Sequence, residues 1–133
     1  MATELLDPWR IAPNATFEAV LICKDDAGAE LSVVGCKARM DFKTNANTGS
    51  TSLFSLTDTD GLALAGESVV EDGVTYHDGV IRITVTPDKA KLLEELKGFA
   101  DLLVQLSATN VMRVYDPPRN WIGVRAVTPA IFA

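Results

Sequence analysis

The chain has 133 residues, of which 47% are hydrophobic and 23% charged, and its formal net charge is −6 at pH 7. These values are typical of one globular domain and exclude a disordered or collagenous chain. The negative charge argues against nucleic acid as a partner, because neutralising phosphates requires a basic surface. No apolar run approaches the roughly 20 residues of a membrane span. The first residues lack the features of a signal peptide, so we expect a soluble protein made in the cytoplasm, with no membrane partner.

The beginning of the chain, "LLDPWRIAPNA", combines two prolines with the large apolar residues Trp9 and Ile11. Prolines near a chain end favour irregular backbone. We therefore predict an N-terminal irregular arm over residues 1–13, which packs against its own core or against a neighbouring molecule. The remaining residues, 14–133, are predicted to form a single domain.

The first predicted strand, "TFEAVLICK", places Phe17, Ala19, Leu21 and Cys23 on one face. The composition of "DDAG", which follows, is typical of a turn. A hairpin that turns near residues 29–30 would set Cys23 opposite Cys36. A disulfide between these two thiols is geometrically conceivable. The alternative is that they are free, as is usual for buried cysteines in a reducing compartment.

The stretch "GCKARMDFK" alternates between apolar and charged residues. Cys36, Ala38, Met40 and Phe42 fall on one side, and the other side carries Lys37, Arg39, Asp41 and Lys43. Because successive side chains of a strand point to opposite faces, this alternation predicts a half-buried strand. Its charged face contacts either water or a partner.

Further strands are predicted along the second half of the chain. A polar loop, "KTNANTGSTS", precedes the strand "SLFSLT", and Asp-Gly pairs mark turns in the segment that follows. The clearest later strand alternates Ile81, Ile83 and Val85 with Arg82 and Thr84. Two strands are predicted around residues 109–110, then a loop, "DPPRNW", and a last strand, "IGVRAVT". About seven short strands at this spacing predict a β-sandwich.

One helical signal, "TPDKAKLLEELKG", interrupts the strands. Thr86 is a candidate N-cap, Pro87 suits the first helical position, and Gly98 can end the helix. We expect about two to three turns that cross between the sheets of the sandwich. The predicted apolar stripe of this helix consists of Leu92, Leu93 and Leu96.

No catalytic or metal-binding constellation is recognisable in the sequence. His77 precedes Asp78, but neighbouring strand residues point to opposite faces, and Asp-Gly at 78–79 is typical of a turn. One histidine and two separated cysteines do not suit a zinc site. We therefore expect no enzymatic activity, no metal and no cofactor. The following acidic residues lack the EF-hand spacing and are interpreted as turn residues: Asp58, Asp60, Glu71, Asp72 and Asp78.

The two tryptophans, Trp9 and Trp121, lie in proline-containing segments that are predicted to be irregular. Large aromatic side chains in exposed loops are typical of interface anchors. The alternative interpretation is that each ring covers an edge of its own core.

The order of the motifs is more specific than any one of them. Over residues 14–128 the chain contains "ATFEAVLICKDDAGAEL", "CKARMDFK", "TSLFSLT" leading to "GLAL", "GVIRITVT", a short helix, "FADLLVQL" and "VRAVT". This order resembles that of bacteriophage tail and baseplate modules, such as the N-terminal domain of baseplate upper proteins. Two features depart from the pattern: "FADLL" stands where Tyr-Asp-Leu is more usual, and "DPPRN" with Trp121 enlarges the last hairpin.

The resemblance implies an immunoglobulin-like antiparallel β-sandwich with one short helix between late strands, and no catalytic residues. It implies a structural protein of a phage virion, made in the bacterial cytoplasm: a tail, baseplate or fibre-adaptor component. Its expected partners are other phage structural proteins and further copies of itself in a symmetric assembly. One alternative is a head decoration or connector protein. Another is a carbohydrate-binding adhesion module, with Trp9, Tyr115 and Trp121 as stacking platforms.

The candidate interface combines the charged strand face with the N-terminal arm and the proline-rich loop near the C-terminus. On a partner, complementary charge fixes orientation more than affinity. The alternative is a solvated outer sheet face, whose mixed charges deter unwanted strand pairing. The candidate interface residues are Trp9, Ile11, Lys37, Arg39, Asp41, Lys43, Tyr115, Pro117, Pro118 and Trp121.

Overall fold

A computed structural model describes residues 8–44, 51–115 and 118–124. The chain is mainly β, with a six-stranded and a three-stranded sheet around one core, a third sheet of two strands, and a helical segment of seven residues between late strands. This confirms the prediction of a β-sandwich with one short helix. In chain order the elements are β1 (Trp9–Ile11), β2 (Phe17–Ile22), β3 (Lys37–Lys43), β4 (Phe54–Thr57), β5 (Leu62–Leu64), β6 (Val69–Glu71), β7 (Val74–Tyr76), β8 (Val80–Val85), α1 (Pro87–Ala90), β9 (Lys97–Ser107), β10 (Asn110–Arg113) and β11 (Arg119–Gly123).

The larger sheet has six strands in the order β1-β11-β9-β3-β4, with β10 also paired to β9. We call it the large sheet. Its central strand, β9, is 11 residues long. One edge of β9 pairs antiparallel with β3, from Phe99 opposite Lys43 to Gln105 opposite Lys37. The other edge pairs with β11 over the first residues of β9 and with β10 over the last.

The second sheet, which we call the small sheet, has three antiparallel strands in the order β2-β8-β5. Ile81, Ile83 and Val85 on β8 are fully buried, as the alternation predicts. They belong to the same core as Met40 and Phe42 of the large sheet. Each sheet therefore buries alternate residues against the other, which is the packing of a sandwich.

The helical segment carries the chain from the small sheet to the large sheet, which confirms the predicted crossing. Its seven residues make about two turns, within the expected length: α1 has Pro87 at its start and continues into a single 3-10 turn, Lys91–Leu93. Three residues per turn in a segment this short do not align the predicted stripe on one face. Leu93 is buried, whereas Leu92 and Leu96 are 52% and 41% exposed.

The predicted ends of the helix need correction as well. Thr86 does precede α1, but its side chain makes no capping hydrogen bond. The segment ends at Leu93, two residues before Glu95 with its φ of 60°, and not at Gly98. Gly98 lies buried within β9, where a Cβ atom would stand 1.9 Å from the carbonyl oxygen of Lys43. Glycine is needed there for a close approach between two backbone segments.

The prediction of an irregular N-terminal arm is wrong for residues 9–11. β1 pairs in parallel with β11, with Trp9 opposite Trp121 and Ile11 opposite Gly123, and Ile11 is fully buried. The prolines flank this strand, so its backbone N–H groups remain available for pairing. Residues 1–7 of the predicted arm lie outside the described residues.

The predicted hairpin between the first two strands is also wrong. β2 pairs with β8 in the small sheet, whereas β3 lies in the large sheet between β9 and β4. The segment between them therefore crosses from one sheet to the other. Cys23 and Cys36 are both free thiols. Burial, and to a smaller extent the Cys36 thiol, raises the pKa of Cys23 to about 11, so its reactive thiolate form is scarce at neutral pH.

The segment predicted as the loop "DPPRNW" is partly a strand. β11 begins at Arg119 and pairs antiparallel with β9, with Trp121 opposite Gly98. Residues 116–117 and the part of the predicted last strand beyond residue 124 lie outside the described residues. The hairpin predicted around residues 109–110 is formed by β9 and β10.

Candidate interface on the outer face of the large sheet

The charged residues of β3 lie on the outer face of the large sheet. Ala38, Met40 and Phe42 are buried in the core, and strand geometry turns the intervening side chains to the opposite face. The prediction that the four charged side chains of β3 share one face is therefore confirmed. The residues on this outer side of β3 are Lys37, Arg39, Asp41 and Lys43.

The neighbouring strands add charge that the sequence did not assign to this face. Lys97 precedes buried Gly98 on β9 and lies opposite Ile122, and Arg113 lies beside Leu103, which is opposite Arg39. Arg10 stands between two inward residues of β1. We call this surface the basic face. Its charged members are Arg10, Lys37, Arg39, Lys43, Lys97 and Arg113, together with Asp41 and Asp101.

The basic face reverses the charge balance of the whole protein. Six cationic side chains stand there against two carboxylates, a formal charge of +4, whereas the complete chain carries −6. The face is thus the main positive surface among the described residues.

Asp41 occupies the centre of the basic face. Its Oδ1 accepts a hydrogen bond from Ser55 Oγ at 2.5 Å and one from Arg39 Nε at 2.8 Å. Partial burial opposes ionisation, but these bonds and the charges of Arg39 and Lys43 hold the pKa of Asp41 below its usual value. Asp41 is therefore ionised at neutral pH and orients the guanidinium of Arg39.

The second carboxylate, Asp101, lies directly across the strand pair from Asp41. Like charges in such a position repel each other. Arg113 offsets this repulsion, since its Nε and Nη2 atoms lie 3.1 Å from the two carboxylate oxygens of Asp101. Each carboxylate thus holds one arginine in place.

The other four cations of the face have no such partner. Among the ion pairs formed within residues 8–44, 51–115 and 118–124, none involves Arg10, Lys37, Lys43 or Lys97. No carboxylate of the described residues lies within ion-pair distance of these four groups. The face is accordingly a positively charged sheet surface on which two arginines are oriented by carboxylates.

The aromatic candidates Trp9 and Tyr115 pack against other rings of the protein, unlike the charged residues of β3. Trp9 is half-buried, and its ring contacts Phe17 at 5.2 Å and Tyr115 at 5.8 Å between centroids. The guanidinium carbon of Arg119 lies 5.1 Å from the same ring. Burial raises the pKa of Tyr115 to about 12, although Arg119 acts in the opposite direction. Because Trp9 belongs to the large sheet and Phe17 to the small sheet, this cluster covers an edge of the protein's own core.

Two of the predicted interface residues are not accessible. Trp121 is 1% exposed and packs near Phe42, with 6.4 Å between ring centroids, and Ile11 is fully buried. The prediction that they anchor an interface is wrong, because strand pairing of β1 and β11 turns both side chains into the core. Pro118 is half-buried, and Pro117 lies outside the described residues.

Among the remaining sequence candidates within the described residues, His77 and Asp78 are in contact, although strand alternation placed them on opposite faces. His77 Nδ1 lies 3.0 Å from Asp78 Oδ1, and both side chains are exposed. Asp60 pairs with Lys89, and Glu71 pairs with Lys24. Across the part of the chain that the structure describes, no group of three or more histidine, cysteine or acidic residues is arranged to hold a metal ion.

No protein-family model matches the sequence, and a search of curated proteins finds no significant match. The helical segments among the described residues are too short and too polar to cross a bilayer.

Proposed function

We propose that this chain is a structural protein of a bacteriophage virion, a tail, baseplate or fibre-adaptor component, and that it works through protein–protein contacts. The observation that carries the proposal is the basic face: a net positive sheet surface on a protein whose total charge is −6. The phage assignment itself rests on the order of sequence motifs, and the contact mode rests on the geometry of the face.

Three properties of the basic face suit a docking role. It is built on regular strands, so its charges have fixed spacing. Arg39 and Arg113 are each held by a carboxylate of the same face. Lys37 and Lys43 are left for an external partner. Pre-oriented charges lose less conformational entropy on binding, and complementary charge selects the orientation of the partner.

A carbohydrate-binding module is the alternative from a different class. It required Trp9, Tyr115 and Trp121 to offer open rings for stacking on sugars. Trp121 is buried in the core, and Trp9 and Tyr115 pack against each other at the sheet edge. The rings do not form an exposed platform, so the geometry favours the protein-contact proposal. A head decoration or connector protein remains an alternative position within the same structural class.

The test is quantitative mass spectrometry of purified phage particles from a phage whose genome encodes this chain. We expect a fixed number of copies per particle. The particles should lose the protein when it carries Lys37→Ala and Lys43→Ala together. The matched control is Lys89→Ala with Lys91→Ala, which changes the net charge equally but lies on the helical segment.

Two results would contradict the proposal. Absence of the wild-type protein from intact particles would remove the structural role. Equal incorporation of the Lys37/Lys43 variant and the wild type would show that the basic face is not the contact surface.

A further inference from the structure

One end of the sandwich has the opposite charge to the basic face. It is formed by the turn after β2, the β6–β7 hairpin and the turn before β8. We call it the acidic end. Six carboxylates stand there against a single cation, Lys24, with His77 counted as neutral. The acidic members are Asp25, Asp26, Glu30, Glu71, Asp72 and Asp78.

Hydrogen bonds from backbone N–H groups to side-chain carboxylates stabilise the acidic end. Glu30 Oε2 accepts hydrogen bonds from the backbone N–H groups of His77 at 2.9 Å and Gly79 at 3.0 Å. Asp25 Oδ1 accepts two more, from the N–H groups of residues 27 and 29, each at 2.9 Å. The Asp25 carboxylate therefore stabilises its own turn, and the Glu30 carboxylate links the segment after that turn to the turn before β8.

The β6–β7 hairpin is tied to the same end through Lys24. The ammonium group of Lys24 lies 3.1 Å from Glu71 Oε1 and 5.0 Å from the ring centroid of Tyr76. Asp72 and Gly73 at the hairpin turn have φ values of 52° and 79°, the left-handed geometry that two-residue hairpin turns require. The hairpin thus carries Glu71 and Asp72 at defined positions beside the turns.

The two charged surfaces are not joined within one copy. No ion pair among the described residues connects a member of the basic face with a member of the acidic end. Each surface also includes an exposed valine: Val111 on the basic face is 57% exposed, and Val70 on the hairpin is 68% exposed. A contact between the surfaces would bury apolar area as well as pair charges.

We propose that the basic face of one copy docks on the acidic end of a second copy of this chain. The contact would be heterologous, because two different surfaces meet, and repeating it produces a ring if the rotation closes or a filament if it does not. This inference rests on the proposed structural function, since it names the chain itself as a partner. Association should weaken as salt screens the opposed charges.

The experiment uses two charge-reversal variants of the full chain and sedimentation velocity at low salt, about 20 mM, where screening is weak. The face variant carries Lys37→Glu and Lys43→Glu. The end variant carries Asp26→Lys and Asp78→Lys, two exposed side chains that hold no backbone turn. A control variant, Lys89→Glu with Lys91→Glu, makes the same charge change as the face variant outside both surfaces.

We expect the wild type and the control to self-associate at low salt and to dissociate at high salt. Each variant alone should be at least tenfold weaker in self-association, because one of its two surfaces is reversed. An equimolar mixture of the face and end variants should form a heterodimer, since the intact acidic end of one fits the intact basic face of the other.

Other results would overturn the inference. Self-association of the end variant as strong as that of the wild type would indicate a contact between like faces. A wild type that stays monomeric at low salt would exclude docking between copies. If that monomeric protein still requires Lys37 and Lys43 to enter phage particles, the proposed function stands and only the choice of partner fails.

Discussion

The outer faces of the large and small sheets differ in how far their own carboxylates neutralise their cations. On the small sheet the cation is Arg82, and two carboxylates neutralise it. Glu67 accepts hydrogen bonds of 2.5 and 2.7 Å from the Nε and Nη2 atoms of Arg82, and Glu18 accepts one of 2.9 Å from Arg82 Nη1. On the large sheet, six cations share two carboxylates, and four of them have no ion pair among the described residues.

The two sheet faces differ in how far their own carboxylates balance their cations. A sheet face that balances its charges internally, like that of the small sheet, interacts weakly with other charged surfaces. A rigid face with an excess of one sign attracts an oppositely charged surface and orients it. This contrast directs the proposed contact to the large sheet and away from the small one.

The largest expected effect comes from breaking the scaffold of the basic face. Phe42 is fully buried beneath it and stacks on Phe54 at 4.6 Å between ring centroids. Phe42→Ala should lower the free energy of unfolding by about 3–5 kcal/mol, as for other buried aromatic residues. Its outward neighbour supplies the control. Lys43→Ala should change the free energy of unfolding by less than about 0.5 kcal/mol. Urea unfolding measures both, and equal losses would contradict the assigned orientation of β3.

A smaller effect is expected where β9 approaches β3 closely. In Gly98→Ala the new Cβ would stand 1.9 Å from the carbonyl oxygen of Lys43, which forces the backbone to shift. The expected loss of stability is about 1–3 kcal/mol, the usual cost of overpacking. Gly66→Ala is the matched control, because its nearest atom would lie at 3.8 Å. Equal unfolding midpoints for the two variants would rule out the close approach.

The next effect depends on pH and concerns the carboxylate at the centre of the basic face. The pKa of Asp41 is lower in the folded protein than its usual value, so its stabilising contribution is complete above the unfolded pKa and is lost as the pH falls through the folded pKa. Asp41→Asn should cost less than about 1 kcal/mol at pH 6, because the charged partner, Arg39, is exposed and solvent screens the pair. The difference from wild type in urea unfolding should vanish at strongly acidic pH. A difference independent of pH would contradict the assignment.

The smallest effect is expected on the small sheet. The hydrogen bond from Arg82 lowers the pKa of Glu67, so this carboxylate also stabilises the fold above its unfolded pKa and not below its folded pKa. Glu67→Gln should flatten the decline in the urea midpoint between neutral and acidic pH. It should leave self-association unchanged, because Arg82 is not part of the basic face. Loss of self-association in this variant would show that the small sheet takes part in the contact.

Several elements could be predicted because their signal is local. The alternation in β3 and β8 assigned the buried and outward side chains, and Asp72-Gly73 marked a hairpin turn. The crossing helix was found from Thr86 and Pro87, although its end was predicted too late, at Gly98. The helix ends before Glu95, and Gly98, its predicted end, lies in β9. A helical pattern followed by a glycine does not show whether that glycine ends the helix or belongs to the next strand.

The candidate site was predicted in part. Four charged residues of β3 were assigned to one face from their alternation alone. Arg10, Lys97 and Arg113 were missed, because their membership depends on which strands lie beside β9. Trp121 and Ile11 were misassigned for a related reason: prolines nearby suggested loops, whereas pairing between β1 and β11 buries both side chains.

The sequence by itself determined the mainly β character, the inward and outward residues of each clear strand, and the net negative charge. These follow from the period of two along a strand and from simple composition. Only the tertiary structure decided which strands are neighbours, that β2 and β3 belong to different sheets, and that six cations share one face. Strand pairing joins residues far apart in the chain, and its register depends on the whole core, so no local pattern contains it.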